Sequence, residues 1–415
     1  MLDTVVRDHT NHCYVFERKH KKRYFGIAYI VAKVLTIIAV INFSMNRLLK
    51  KIGKYILYLF GVIIVLVLGV LLVISISSSG KPEPVVDAGG DPLPHSIALI
   101  NDTVINGALQ RLTIRGHDQS NPVLLRVHGG PGKVEPPQAY RFNNTDLEEY
   151  FTVCYWDQRG VGPAFDGNVS EQSYTIEQIV NDGLIVTEYL RETIGQDKIY
   201  IEGTSTGTVI ASFMVREKPQ YYQAYIGVAQ LADGKKNEEL SYDFVLTEAN
   251  RRGDTLAIKE LTRIGSPPYE SIEKGNEAVQ IERFYADKYM PKSPTDMSSI
   301  DVMKLIFLYN GWSMSYKFHL ISNGMYSPST PILWPQFAEI NMFNEMVDWP
   351  IPIYILHGEQ DHNAEFSLSK MYFDSLNAPH KEFFPFPNTG HAIHYDQPEK
   401  YRGIYLKNIL NGSGS

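Results

Sequence analysis

A serine hydroxyl is a poor nucleophile near neutral pH until a histidine takes its proton, and the histidine works best when a carboxylate on its other ring nitrogen fixes tautomer and orientation. In this chain of 415 residues, Ser205 lies in Gly203-Thr204-Ser205-Thr206-Gly207, with an apolar lead-in at Tyr200-Ile201 and a helix-compatible run from Val209 to Val215 behind it. Glycine two residues to either side is what a sharp strand-to-helix turn requires, because neighbouring backbone there comes too close for larger side chains. Asp361 ends Gly358-Glu359-Gln360-Asp361, and His391 ends Asn388-Thr389-Gly390-His391. The three residues are the candidates for nucleophile, acid and base of an acyl transfer. His128-Gly129-Gly130-Pro131-Gly132 is a turn so rich in glycine that its amides are expected to lie open to an anion. Acyl transfer places negative charge on a former carbonyl oxygen, and each backbone amide aimed at it is worth roughly 3–4 kcal/mol. Thr206, at a helix start, and Gly130, with Gly129 as second choice, are the candidates for this oxyanion hole.

Other titratable residues nearby have structural readings. His394 stands one helical turn from His391, but the Gly-His placement favours His391 as the base. His362 reads as exposed, His128 as ordering the oxyanion turn, and Asp157 with Arg159 as an ion pair or turn lock. An aspartate nucleophile is excluded by Ser205 itself.

The elements that must position these residues follow from periodicity. Ser96 to Ile105, Leu109 to Arg115, Val123 to Val127, Phe151 to Trp156, Lys198 to Glu202, Ala224 to Ala229, Ile351 to His357 and Lys381 to Phe386 read as strands. Thr175 opens a helix with Gln178 as the capping-box partner and an apolar face from Ile176 to Leu190. Strands alternating with helices imply an α/β fold with a mostly parallel sheet covered on both faces, and ligands then gather at the carboxyl ends of the strands. Asn237 to Arg251, Leu256 to Ile264 and Val302 to Leu308 read as helices of a cap over 231–347, inserted between the core segments 96–230 and 348–415. The cap aromatics Phe307, Tyr309, Trp312, Tyr316, Phe318, Trp334 and Phe337 are expected to pack it internally, with a few facing the cleft.

Towards the N-terminus, Tyr55 to Ile76 is an uncharged apolar run long enough to cross a bilayer. Arg47, Lys50, Lys51 and Lys54 precede it and only Lys81 follows closely, which places residues 1–54 in the cytoplasm and the catalytic part outside it. A cleaved signal peptide fits less well, the run being too long and lacking a small-residue cleavage site. Tyr24 to Phe43 is also apolar but carries Lys33 at its middle, and Met45 looks like the beginning of a signal anchor, so residues 1–44 read as a mispredicted extension, or else as an interfacial helix. Residues 77–95, proline-rich with Gly89-Gly90-Asp91, read as an extended linker.

Composition bounds the partners. With 44% hydrophobic residues the chain is globular, and a net charge of -7 without a basic stripe in its body argues against nucleic acid. Cys13 and Cys154 are its two cysteines, and neither a disulfide between them nor a metal site is expected.

The His128–Gly132 turn, Asp157-Gln158-Arg159-Gly160, the Ser205 elbow, Gly358-x-x-Asp361 and Gly390-His391 occur in one order from Ser96 to the C-terminus. In that combination the chain resembles the α/β-hydrolase superfamily, and within it the proline iminopeptidase-like branch. The resemblance implies that Ser205, Asp361 and His391 form the triad, that Gly130 contributes to the oxyanion site, and that no metal or organic cofactor takes part. It departs from the family where Thr206 stands for a tryptophan and Val161-Gly162-Pro163-Ala164 for Cys-Gly-x-Ser. In that branch acidic cap groups near tryptophans hold the substrate's free amine. Glu238, Glu239 and Asp243 do not match that pattern and read as a solvated helix face. The expectation is a membrane-anchored serine hydrolase acting on a small-molecule ester or a short peptide, with a proline iminopeptidase-type aminopeptidase as the alternative and a catalytically silent binding protein of the same fold as the second.

Overall fold

The computed structural model describes residues 32–34, 47–132, 147–165, 167–269, 271–291, 299–323 and 327–410. The expectations for residues 1–44 lie outside the described residues except at 32–34, which are helical. The chain forms two compact units, Met1–Val73 and Ile74–Ser415.

Helix α1, Arg47–Ile76, has 30 residues. Its stretch Lys50–Ile76 is long and apolar enough to cross a membrane, with a mean hydropathy of 3.3 in its most apolar window and none of that window buried in protein.

The second unit is built on an eight-stranded sheet: β1 Ile97–Ile105, β2 Ala108–Gly116, β3 Val123–Val127, β4 Thr152–Asp157, β5 Ile199–Thr204, β6 Tyr222–Val228, β7 Ile353–Gly358 and β8 Lys381–Phe386, in the order β1-β2-β4-β3-β5-β6-β7-β8. β2 pairs antiparallel with β1 and β4, and every pair from β4 to β8 is parallel. All eight strands expected from the sequence are present. β3 and β7 are buried along their whole length, as parallel strands covered on both faces must be. The order reverses at β3, which lies between β4 and β5, so the loops leaving β3 and β5 diverge and open the crevice where ligands bind in such sheets.

Helix α2, Ile176–Ile194, begins at Thr175, whose side chain accepts from the Gln178 amide at 3.1 Å. The capping box is only half made, because the Gln178 side chain donates instead to Asp182 at 3.0 Å. Asp182, wholly buried, collects Arg159 in two hydrogen bonds of 2.6 and 2.8 Å together with Asn106 and Gln110. The expected pairing of Asp157 with Arg159 is therefore replaced by Arg159 with Asp182, a carboxylate from the next helix that sequence distance concealed. On the other face, Glu202 of β5 accepts from Tyr401 at 2.8 Å and from Tyr405, tying the C-terminal helix to the strand that leads to Ser205.

Between β6 and β7 the chain forms the cap helices α4 Gly234–Arg252, α5 Thr255–Ile264, α6 Ile272–Tyr289, α7 Ser299–Leu308, α8 Met314–Asn323 and α9 Thr330–Ala338, after α3, Gly207–Glu217, has crossed from β5 to β6. Residues 77–95, expected to be an extended linker, instead fold back on themselves, with Val86 and Pro92 in an antiparallel bridge and Leu93 N–H donating to Val85 O at 3.0 Å, and they lie on the domain, where Val85 is buried and Arg115 donates to Glu83 O.

Replacing Asp182 by alanine leaves the Arg159 guanidinium buried without its counter-charge, a loss of about 3–5 kcal/mol. A large drop in the chemical denaturation midpoint of Asp182→Ala is the expected result.

Candidate active site

Ser205 follows β5 directly and adopts a left-handed backbone, φ 55, that a non-glycine residue holds only under constraint. Its amide donates to Val228 O of β6 at 2.9 Å and its carbonyl accepts from the Thr208 amide at 2.9 Å, so the turn is gripped from both sides. A Cβ on Gly207 would come within 2.2 Å of Val127 O, and one on Gly203 within 2.6 Å of Gly207 O. These approaches are closer than any side chain tolerates, which is why glycine occupies both places.

The His128–Gly132 turn leaves β3 beside this elbow. A Cβ on Gly129 would lie 2.8 Å from Ser205 Cβ and 3.3 Å from the Thr206 amide nitrogen. His128 Nδ1 meets Gly129 O at 2.9 Å, and the Gln158 side chain donates to His128 O at 3.2 Å, so His128 braces the turn as expected. Gly129, Gly130, Ser205 and Thr206 all line one cavity of about 1400 Å³.

Asp361 leaves β7 wholly buried. Its Oδ1 accepts from the amides of Asn363 at 2.9 Å and Ala364 at 3.0 Å, and its Oδ2 meets His391 Nδ1 at 2.8 Å. Burial pushes this carboxyl up, but the charge of His391 and hydrogen bonds from His357 and His391 outweigh it and hold the group well below the usual carboxylate range. His391, its Nδ1 engaged by Asp361, lines the same cavity as Ser205.

His357, at the end of β7 and fully buried, was not singled out by the sequence. Its Nε2 lies 2.8 Å from Ala364 O and 3.3 Å from Asp361 Oδ2, while its Nδ1 has no hydrogen-bond partner. Both neighbours of Nε2 are acceptors, so the proton sits on Nε2 and the ring donates towards the same carboxylate oxygen that His391 uses. The signal available in the sequence was a histidine four residues before Asp361 at a strand end, a position where any polar side chain meets the sheet edge.

His394 also lines the cavity but packs against Tyr395 and Tyr401 rather than meeting Asp361. His362, expected to be exposed, is half-buried, stacked on Phe244 at 3.6 Å and bonded through Nδ1 to Glu365 at 2.9 Å.

The cap closes the cavity with a charged cluster. Asp243 is exposed and Glu239 pairs with Lys236 at 2.8 Å, as a solvated face requires. Glu238 does not follow them: it is 6% exposed, lines the cavity, and its Oε1 accepts from Arg283 and Asn237 while Oε2 has no hydrogen-bond partner. Adjacent positions on a helix point about a third of a turn apart, and that rotation carries Glu238 inward. Arg283 lies over the Trp334 ring, 5.4 Å from its centroid, and also meets Glu282 at 2.8 Å. Burial first, then the charge of Glu238, raises the Glu282 carboxyl against the opposing pull of Arg283. Glu238 and Arg283 thus stand on the cavity wall, with the Glu282 carboxyl buried behind them. Of the cap aromatics, Tyr309, Trp312 and Phe337 are buried, and Trp334 and Phe337 face the cavity.

Residues 122–398 match the family model described as alpha/beta hydrolase fold. The chain is 29% identical over 313 residues, 75% of its length and 96% of the relative's, to the probable aminopeptidase YbaC of Bacillus subtilis (strain 168). It is 21% identical over 303 residues, 72% of this chain and 59% of the relative, to the lysophosphatidylserine lipase ABHD12 of Danio rerio. Among solved structures, the proline iminopeptidase-related protein from Thermus thermophilus superposes with a TM-score of 0.54 at 20% identity, covering 76% of this chain and 98% of that one. The family match and the sheet order agree: the chain belongs to the α/β-hydrolase family and is a hydrolase.

Proposed function

We propose that the chain is a membrane-anchored serine hydrolase in which Ser205 attacks a carbonyl, His391 takes and returns its proton, and Asp361 orients the imidazole. The observation that carries this reading is the 2.8 Å contact between His391 Nδ1 and a buried, ionised Asp361, with His391 and Ser205 lining one cavity. Attack by Ser205 Oγ forms a tetrahedral intermediate whose oxyanion is held by the amides of Thr206 and Gly130. Its collapse expels the leaving amine or alcohol, protonated by His391, and water then releases the acyl group by the same steps. Helix α1 anchors the enzyme, and the basic residues before it put the catalytic unit outside the cytoplasm.

Within this chemistry the aminopeptidase reading is favoured by Glu238. Glu238 lines the cavity and has a buried carboxylate oxygen without a hydrogen-bond partner, which suits a substrate ammonium. The similarity to the aminopeptidase YbaC points the same way. The substrate class is then an amide, or an ester, of an amino acid with a free amine. Prolyl arylamides, N-acetylated counterparts and p-nitrophenyl esters assayed side by side test it; release from the acetylated compounds as fast as from the free amines contradicts it.

Expected outcomes follow for four positions. Ser205→Ala abolishes turnover and fluorophosphonate labelling while circular dichroism is unchanged, and Asp361→Asn lowers kcat about 10⁴-fold through the wrong histidine tautomer. Glu238→Gln raises KM for free-amine substrates by about ten- to a hundredfold, the worth of one charge-assisted hydrogen bond, and leaves N-acetylated esters unaffected. His357→Gln weakens donation to Asp361, so the carboxylate holds the imidazolium of His391 more tightly. Because His391 must be neutral to accept the Ser205 proton, the acid limb of kcat/KM then moves to higher pH.

A further inference from the structure

Helix α1 ends at Ile76, and the residues that follow do not leave the domain. Lys317 Nζ donates to Ser77 O and, at 2.8 Å, to Phe307 O. Ser79 and Ser313 form an antiparallel bridge, and the Gly80 amide donates to Asn310 O at 2.9 Å. The loop between α7 and α8 is itself fixed to the sheet, since Arg111 of β2 donates to Gly311 O at 2.8 Å. The carbonyl at the end of an apolar helix needs a donor, and a cation there also meets the negative end of the helix dipole. Lys317 supplies both, and burial brings its ammonium down to about 8, so it remains the charged donor at neutral pH.

Covalent continuity then decides what lies beside this loop. If α1 spans a bilayer, Ser77 stands where the span ends, and the four residues from Ser77 to Gly80 reach at most about 14 Å. Leu308 follows Phe307 and Phe318 follows Lys317, so both adjoin the groups that hold Ser77, with Met303 further back on α7. Met303 is 50%, Leu308 43% and Phe318 42% exposed. Among the described cap residues, three of the five exposed large hydrophobics therefore lie on the two helices joined by the loop that holds the end of the span. Water is a poor environment for them, and the headgroup and upper acyl region of a bilayer is a good one.

We propose that the α7–α8 face of the cap, through Met303, Leu308 and Phe318, is a lipid-contact surface resting in the interfacial layer of the bilayer that α1 crosses. The next residue of α8, His319, lines the catalytic cavity, so one cavity wall is carried on the helix that touches lipid. The inference rests on the reading of α1 as a membrane span, and the test separates the two. In full-length protein carrying Cys13→Ser, with the buried Cys154 left in place, one accessible cysteine is placed by Phe318→Cys, Leu308→Cys or Met303→Cys on this face, by Leu66→Cys within α1, or by Leu256→Cys as an exposed apolar cap position on another helix. Each is labelled with bimane and reconstituted in phosphatidylcholine vesicles with or without lipid brominated high on the acyl chain, with fluorophosphonate labelling of Ser205 reporting that each variant is folded. The expected result is loss of fluorescence at 66 and at two or more of 303, 308 and 318, and none at 256. Quenching at 66 with the face positions no more affected than 256 overturns the lipid-contact surface and leaves the span standing. Absence of quenching at 66 overturns both.

Discussion

The site depends on a carboxylate kept ionised where burial opposes it. Asp361 has no contact with water, and what holds its charge is two amides on one oxygen and two histidine rings on the other. Buried charge is tolerated only when paired and hydrogen-bonded in this way, and the pairing fixes the direction of each group that makes it. Because Asp361 fixes Nδ1 of His391, the ring has one orientation to offer the cavity. The β7–β8 register sets the distance between the two loops, with Gly358 beside Phe386 at the strand ends. Strand pairing, carboxylate burial and imidazole orientation are thus one constraint seen at three scales.

A second constraint operates at Ser205. Its left-handed backbone is held by Val228 O and by a helix that starts two residues later, and the glycines around it admit the carbonyls of β3 and of the elbow itself. The elbow, the His128–Gly132 turn and the Asp361 and His391 loops all emerge from the same edge of the sheet. Chemistry gathers there because parallel strands end together, and the reversal of strand order at β3 opens room above them.

Much of this was legible in the sequence because it is written locally. The eight strands were marked by apolar runs closed by glycine or polar turns, and the elbow by two glycines that steric closeness demands. What escaped was decided by three-dimensional neighbours. Asp182 takes Arg159 from the helix that follows its turn, and no spacing rule joins residues 159 and 182. Helix α6, Ile272–Tyr289, went unread because it mixes buried Tyr285, Ala286 and Glu282 with the exposed Phe284 and so carries no clean apolar stripe. Glu238 looked like its neighbours Glu239 and Asp243; only the rotation of the helix sends it into the cavity. His357 was hidden within an apolar strand, where its value lies in what it adjoins.

Whether Ser205, His391 and Asp361 act as one unit is the central claim, and a multiple-mutant cycle tests it most directly. Ser205→Ala, His391→Ala and the triple replacement with Asp361→Ala are compared by kcat/KM on one substrate, with all variants verified as folded. The account predicts that the loss in Ser205→Ala or His391→Ala alone is about as large as in the triple variant, since a unit missing its nucleophile or base has nothing further to lose. Losses that multiply from residue to residue would contradict it.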